Sequence, residues 1–467
     1  MTTAKLTRPA YSPHGSWLGD FAKLSAAEKA LVAACARGEA WVPVGWDDKR
    51  PETATLENTI RAGLIRFLLL GGDAEHPVHQ EGVMLRGAWI GDELDIHQSK
   101  ASLRLDARLC HFFKAPIFTN ASLPELVLSG SHCPGIRADR LKVAGNVNLD
   151  DSFHTTGEVR LLGATIGGDL TCSKGRFENE GGYALNADGV SIKGSLFLRD
   201  ADIKGTINLV AARVGTLTDG EDLACWQGGR HILDGFHYDR IIGFIDAKQR
   251  IGWLQQQHED DLKSAFKPQP WEQLIKILRE MGHPYEAGEV AIAKQEQMRV
   301  AGVIKGPVRK SMHWAYGALA GYGHRPIRAV YAMIGVWLFC SLAFWAAADG
   351  FAAIGPNNPA ITSATLYPDA DKLCGHGNEP GKTRWTECAG VPDEYSTFQP
   401  FVYSLDLILP LVDLQQESDW APIAEGPTGR DLLPGVIARW LMWLEILFGW
   451  AMSLMLVAVL GRLVDKD

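Results

Sequence analysis

Charge is missing from two stretches of this 467-residue chain. Val330 to Ala348 carries none, and Leu441 to Leu460 carries only Glu445. Each meets the length of about 20 apolar residues that crosses a bilayer, so two spans are expected. Acids are also missing from Lys305 to Arg328, where five Lys/Arg stand alone. The positive-inside rule assigns that stretch, and with it both termini, to the cytoplasmic side. The opening residues Met1 to Pro9 lack the apolar core of a secretion signal, so the long N-terminal part is expected in the cytoplasm.

Basic charge is not in excess, which argues against nucleic-acid binding: the net charge is −9. Asp349 to Arg430 holds twelve Asp/Glu and four Lys/Arg, so −8 of that total falls on the expected outer face. A solenoid that mimics nucleic acid would need those acids in its own body. Cysteine is scarce. Six of eight, Cys35, Cys110, Cys133, Cys172, Cys225 and Cys340, are scattered as in a reduced compartment or a membrane interior. Cys374 and Cys388 sit in the outer loop, where a disulfide would fit an oxidising periplasm and two unpaired thiols are the alternative.

Catalytic motifs are absent too: no His-Glu-x-x-His, no phosphate loop, no Gly-x-Ser-x-Gly and no dinucleotide fingerprint. No enzymatic activity and no cofactor are expected. His97, His111, His154, His231 and His237 have no metal-ligand spacing and read as structural or solvated.

What is present falls into four expected regions, 1–80, 81–250, 251–328 and 329–467. The first is a helical cap. Ser25-Ala-Ala-Glu28 is a capping box opening a helix over 29–36, and Thr55 to Leu70 has helical apolar spacing, stopped by Gly71-Gly72. The second repeats Gly-x-aliphatic-x-aliphatic from Gly145, Gly157, Gly168, Gly194 and Gly205, at a near-constant step broken only between Gly168 and Gly194. The alternation predicts strands with glycine at the corners, and twice that step makes one coil of a parallel β-helix. With intervening pieces such as Ala164-Thr-Ile166 and Ala201-Asp-Ile203, this region resembles pentapeptide-repeat proteins and the related bactofilin-like β-helices. An insert at Glu178 to Tyr183 breaks the five-residue period. The third region predicts a helical hairpin over Trp271–Met281 and Tyr285–Arg299, placed to couple the solenoid to the first span.

Between the spans, Phe398 to Leu414 is apolar but too short to cross, and Pro410 interrupts it. A re-entrant segment is expected, with Tyr403 to Leu409 as a pore helix whose C-terminal dipole favours a cation. Asp406 and Asp413 bracket Pro410, Glu417 and Asp419 follow, and Glu445 is an intramembrane carboxylate near Arg439. Rings of such acids concentrate and help dehydrate cations, whereas an ordinary solvated loop is the plainer reading. In order and spacing the module resembles the two-helix pore of potassium channels, with Leu411-Val-Asp-Leu414 in the filter position. No Thr-Val-Gly-Tyr-Gly lies between Pro410 and Arg430, so potassium selectivity is not implied. Gly321-Tyr-Gly323 precedes the first span, on the wrong side, and reads as a turn.

The expectation is therefore a mixed fold: cytoplasmic β-helix, helical cap, helical linker and a two-span pore domain in a bacterial inner membrane. Asp406, Pro410, Leu411, Val412, Asp413, Glu417 and Glu445 would line the ion path. Two spans cannot enclose water, so a homo-oligomer, a tetramer or pentamer, is implied. Its partners would be membrane lipid, the permeating cation and a cytoplasmic ligand or protein on the β-helix. A membrane-anchored scaffold without a pore is the competing reading.

Overall fold

The computed structural model describes residues 17–21, 23–221, 223–348, 361–363, 396–422 and 433–464. It divides into two units, Met1–Lys305 and Gly306–Asp467.

The first unit is a parallel β-solenoid between helical ends. Parallel pairing links Val83, Leu105, Leu126, Val147, Leu170, Leu196, Leu217 and Ile241 in one column. Eight stacked rungs make seven turns of nearly equal length, and the longest runs from Leu170 to Leu196. One coil is thus about twice the step of the glycine-led units. Each turn has four short sides; in the first they lie at Val83–Arg86, Trp89–Ile90, Asp95 and Lys100. All eight column residues are buried. Burying such a side chain contributes about 1.5–3 kcal/mol, so repetition alone builds the core.

The long turn holds the insert. The strand Arg176–Asn186 pairs Glu178 with Lys204 and then Tyr183 with Thr206, so the extra residues leave the ladder as a bulge. At four of the five unit-opening glycines, Gly205 with its φ of 131° excepted, the corner needs glycine for closeness rather than for handedness. A Cβ on Gly157 would overlap the Pro134 carbonyl oxygen of the turn below, although its φ is not positive. Left-handed bends recur in two columns, from Gln98 through Asn120 and Arg140 to Gly235, and from Gly87 through Leu109, Gly130, Asp151 and Lys174 to Asp200.

Both ends of the stack are covered. At the start, Trp41 donates to the Met84 carbonyl and accepts from Arg86, while Ile60 donates to Trp89 and Trp89 to Asn58. Helix α1 (Ala26–Arg37) opens with the expected capping box, whose Glu28 also pairs with Arg61 at 2.5 Å. Helix α2 covers only Ala62–Leu69. Thr55 to Arg61 does not continue it upstream, because residues 58–60 give their backbone to the edge at Trp89. At the far end lie α3 (Ala247–Gln255), α4 (Glu259–Leu262), α5 (Gln269–Glu280) and α6 (Pro284–Val300). The α5–α6 hairpin exists as expected, and α5 caps the last rung. Gln269 accepts from Gly235 N and donates to the Phe236 carbonyl, and Gln273 donates to Tyr238 O. Beneath it Arg250 holds Asp219 bidentately at 2.6 and 2.9 Å, both side chains fully buried.

The second unit contains α7 (Pro307–Ala320), the 3-10 turn Gly321–Gly323, α8 (Ile327–Ala348), α9 (Pro400–Ile408), α10 (Gln416–Asp419) and α11 (Leu433–Val464). Two stretches, Ile327–Ala348 and Gly435–Val459, are long and apolar enough to cross a membrane. Ile361–Ser363 pairs antiparallel with Trp420–Pro422.

Candidate functional site

Helix α9 is apolar on most positions and short, so its polar backbone ends need partners nearby. Both long helices meet its polar groups, chiefly the side chains of Tyr403 and Ser404. From α8, Trp337 donates its indole N–H to the Phe401 carbonyl at 2.9 Å. Ser404 lies 3.1 Å from the Trp337 carbonyl and 2.5 Å from Glu445 Oε1 on α11. The Tyr403 hydroxyl meets the Met442 sulfur at 3.3 Å. Phe344, Tyr403, Phe398 and Trp420 then form a run of ring contacts 5.0–5.4 Å apart.

The path of the chain can be read from successive contacts along α11. Arg439 donates to the Pro422 carbonyl, Glu445 meets Ser404, and a Cβ on Gly449 would overlap the Ile408 carbonyl oxygen. Gly449 lies past the midpoint of the apolar stretch Gly435–Val459. Helix α9 therefore descends beside α11 to that level. The chain then turns at Leu409–Pro410 and comes back. Both oxygens of Asp406 accept returning backbone N–H groups, from Leu414 at 2.7 Å and from Glu417 at 2.9 Å. Higher up, Gln416 donates to the Thr397 carbonyl and Trp420 to Ser396 O. Helix and return segment form a closed hairpin.

The seven ion-path candidates separate into two groups. Asp406 and Glu445 are buried, at 4% and 1% exposure. Asp406 is consumed in holding the hairpin. Glu445 takes the Ser404 hydroxyl on one oxygen, and Cys340 lies beside the carboxylate. Its Oε2 makes no full hydrogen bond among the described residues. Leu411, Val412, Asp413 and Glu417 are exposed, and Pro410 is half-buried. Among the described residues Asp413 makes only a local bond, from Gln415 N at 2.9 Å. Glu417 is raised from its ordinary value by desolvation first, and then by the neighbouring charges of Asp406 and Asp413. Acidic groups and exposed backbone thus converge on one tip. Cys374 and Cys388 lie outside the described residues; the other six cysteines are buried and form no disulfide among the described residues. Gly321–Gly323 is a turn.

On the solenoid the structure assembles a column that spacing-by-motif missed. Trp89 stacks on His111 at 3.9 Å, His111 on His132 at 4.7 Å, and His132 meets His154 edge-on at 5.1 Å. Strand pairing sets each of these residues against the next, one coil further along the chain. The coil length, not ligand spacing, was the usable signal. Arg50 crosses this side and donates to the Gly130 carbonyl at 3.1 Å. Burial first, then His111, Arg50 and His154, push His132 down to about 4. His154 bonds Glu178, His97 bonds Asp95, His237 bonds the Gly235 carbonyl, and His231 is buried against the Trp253 carbonyl. Among the described residues no group of three or more His, Cys, Asp or Glu is placed to hold a metal ion.

No protein-family model, no curated protein and no solved structure matches this chain.

Proposed function

We propose that the second unit is the pore module of a homo-oligomeric, cation-permeable membrane channel, with the solenoid as its cytoplasmic sensing or assembly domain. One observation carries the reading. The tip Leu409–Gln415 is non-helical and exposed from Leu411 on, yet it follows directly on the Ile408 carbonyl that abuts Gly449 deep in the second apolar stretch. Within a bilayer, irregular backbone is tolerated only where protein covers it or water reaches it. A single chain facing lipid would leave Leu411 86% exposed with Asp413 beside it, and neither condition would be met. Copies arranged about an axis, four or five of them, meet both by turning the tips toward a shared aqueous path.

In this reading α9 is a re-entrant helix, and its carbonyl end adds partial negative charge near the path. Asp413, with Glu417 above it, faces the ion. Asp406 acts through the hairpin that it holds, and Glu445 through Ser404. Both termini are cytoplasmic, as the basic stretch before α8 favours.

Single-channel recording from the purified chain in planar bilayers under asymmetric salt tests this. Cation-selective currents are expected, with D413N lowering unitary current severalfold while oligomer mass is unchanged. D406N should remove currents altogether by releasing the hairpin. Wild-type-like current in D413N would remove it from the path. Silence together with a monomeric mass in detergent and lipid would leave a membrane-anchored solenoid instead.

A further inference from the structure

The geometry points to α7 as a helix that lies on the anionic cytoplasmic surface of the bilayer, its apolar side in the lipid interface and its basic side among phosphate headgroups. This rests on the reading of α8 and α11 as spans. Three observations combine.

The first is a stripe. Val308, Met312, Ala315 and Leu319 recur at spacings of four, three and four, on one side of α7. Val308 and Met312 are 69% and 68% exposed; Trp314, 60% exposed, lies off the stripe, on the side of Lys310. The second is charge. Arg309, Lys310 and His313 fall away from the stripe, and no Asp or Glu occurs anywhere from Lys305 to Arg328. An amphipathic helix of this composition binds by apolar burial plus attraction to anionic lipid, about 1 kcal/mol for each basic residue near the surface. Tryptophan is enriched at that level.

The third observation fixes the depth. The turn after α7 folds Tyr322 back, with its hydroxyl 3.3 Å from His313 Nδ1 and its ring packed on Tyr316 and against Gly317. A Cβ on Gly323 would stand 3.7 Å from Val459, the last residue of the second apolar stretch. The first apolar stretch opens soon after, at Ile327. The turn therefore sits where both long helices reach the same bilayer surface. Tyr322 occupies the side of α7 that carries Tyr316, His313 and Gly317, which leaves the Val308–Leu319 stripe for the lipid.

Nitroxide labels at Met312→Cys, Arg309→Cys and Leu338→Cys test this in the full chain, with the unsubstituted chain as labelling background. The vesicles are phosphatidylcholine with or without phosphatidylglycerol. With phosphatidylglycerol, the oxygen-to-nickel accessibility ratio should be severalfold higher at 312 than at 309, and high at 338. Removing that lipid should lower the ratio at 312, and R309Q/K310Q should abolish the difference between the two vesicle types. Equal ratios at 312 and 309 with 338 still protected would overturn the inference alone. Nickel access at 338 would overturn the span reading and this inference with it. Protection of 312 from both reagents would assign the stripe to protein contact, and identical ratios in both vesicles would remove the anionic headgroups.

Discussion

The solenoid and the α9 hairpin solve the same problem, burying polar backbone, in opposite ways. In the solenoid each rung's N–H and carbonyl groups are met by the next rung, so any one side chain is replaceable by another of similar volume. In the hairpin almost every partner is single: Asp406 for two N–H groups, Trp337 for one carbonyl, Gly449 for one close approach. Repetition spreads the load, and a one-off arrangement concentrates it. The solenoid becomes as fragile as the hairpin only at its ends, where repetition stops and Asp219–Arg250 and the glutamines of α5 take over.

That contrast is open to attack first at the C-terminal end. Arg250→Met leaves Asp219 buried without its cation, and breaking a fully buried pair costs about 3–5 kcal/mol. A large drop in melting temperature is expected, with hydrogen exchange rising first in the last two rungs. Leu170→Ala, in mid-stack, removes buried volume from a column residue and should cost about 2–5 kcal/mol. If that variant opened the stack more than the end variant, the load would not be spread as argued.

Next comes Gly449→Val. The added carbons would meet the Ile408 backbone, which has no rotamer to yield, and overpacking of this kind costs about 1–3 kcal/mol. Currents should vanish while the solenoid's melting transition is unmoved, because the strain is confined to the second unit. Gly335→Val, at a position with open space around it in α8, is the control and should conduct normally.

How much of this was legible beforehand divides along the same line. The coil could be read because it recurs: the glycine-led units keep a near-constant step, and two of them make a turn. The two long apolar helices and the α5–α6 hairpin could be read because their periodicity is local. The end of helix α2 could not, since Thr55 to Arg61 has helical spacing and gives that up only because Trp89 offers unpaired backbone at the solenoid edge. Likewise Asp406 and Asp413 look alike in sequence, two acids flanking a proline. Only the fold assigns one to the N–H groups of Leu414 and Glu417 and leaves the other exposed. The histidine column was legible in principle, at the coil's period, but not as a ligand motif.

Acid tests the solenoid's interior gradually, over a range of pH rather than by one substitution. His231 is buried and held down to about 4, by desolvation, against an ordinary value of 6.5. The native state therefore binds fewer protons than the unfolded chain between those two pH values. Its contribution is fully present above 6.5 and is lost as pH falls toward 4, about 3 kcal/mol in all. His132 adds in the same direction. His231→Phe should flatten the dependence of melting temperature on pH in this window, and an unchanged slope would mean that the ring is not held neutral.

The smallest effect is expected where repetition is most forgiving. The bulge in Arg176–Asn186 leaves Asn179 to Gly182 between two paired positions, Glu178 with Lys204 and Tyr183 with Thr206. On the neighbouring rung only Gly205 lies between Lys204 and Thr206. Deleting Glu180, Gly181 and Gly182 leaves Asn179 to stand opposite Gly205. It also makes the turn from Leu170 to Leu196 as long as the one before it, from Val147 to Leu170. No core side chain is lost, since Glu180 and Gly181 are exposed and Gly182, half-buried, has no side chain. A surface change of this kind should stay within about 0.5 kcal/mol, and a shorter closed loop favours the folded state slightly. A melting temperature within a few degrees of the parent would show that the rungs on either side set their own register. A collapse of the stack would mean instead that the bulge does what Asp406 does in the hairpin, holding a place that no neighbour repeats.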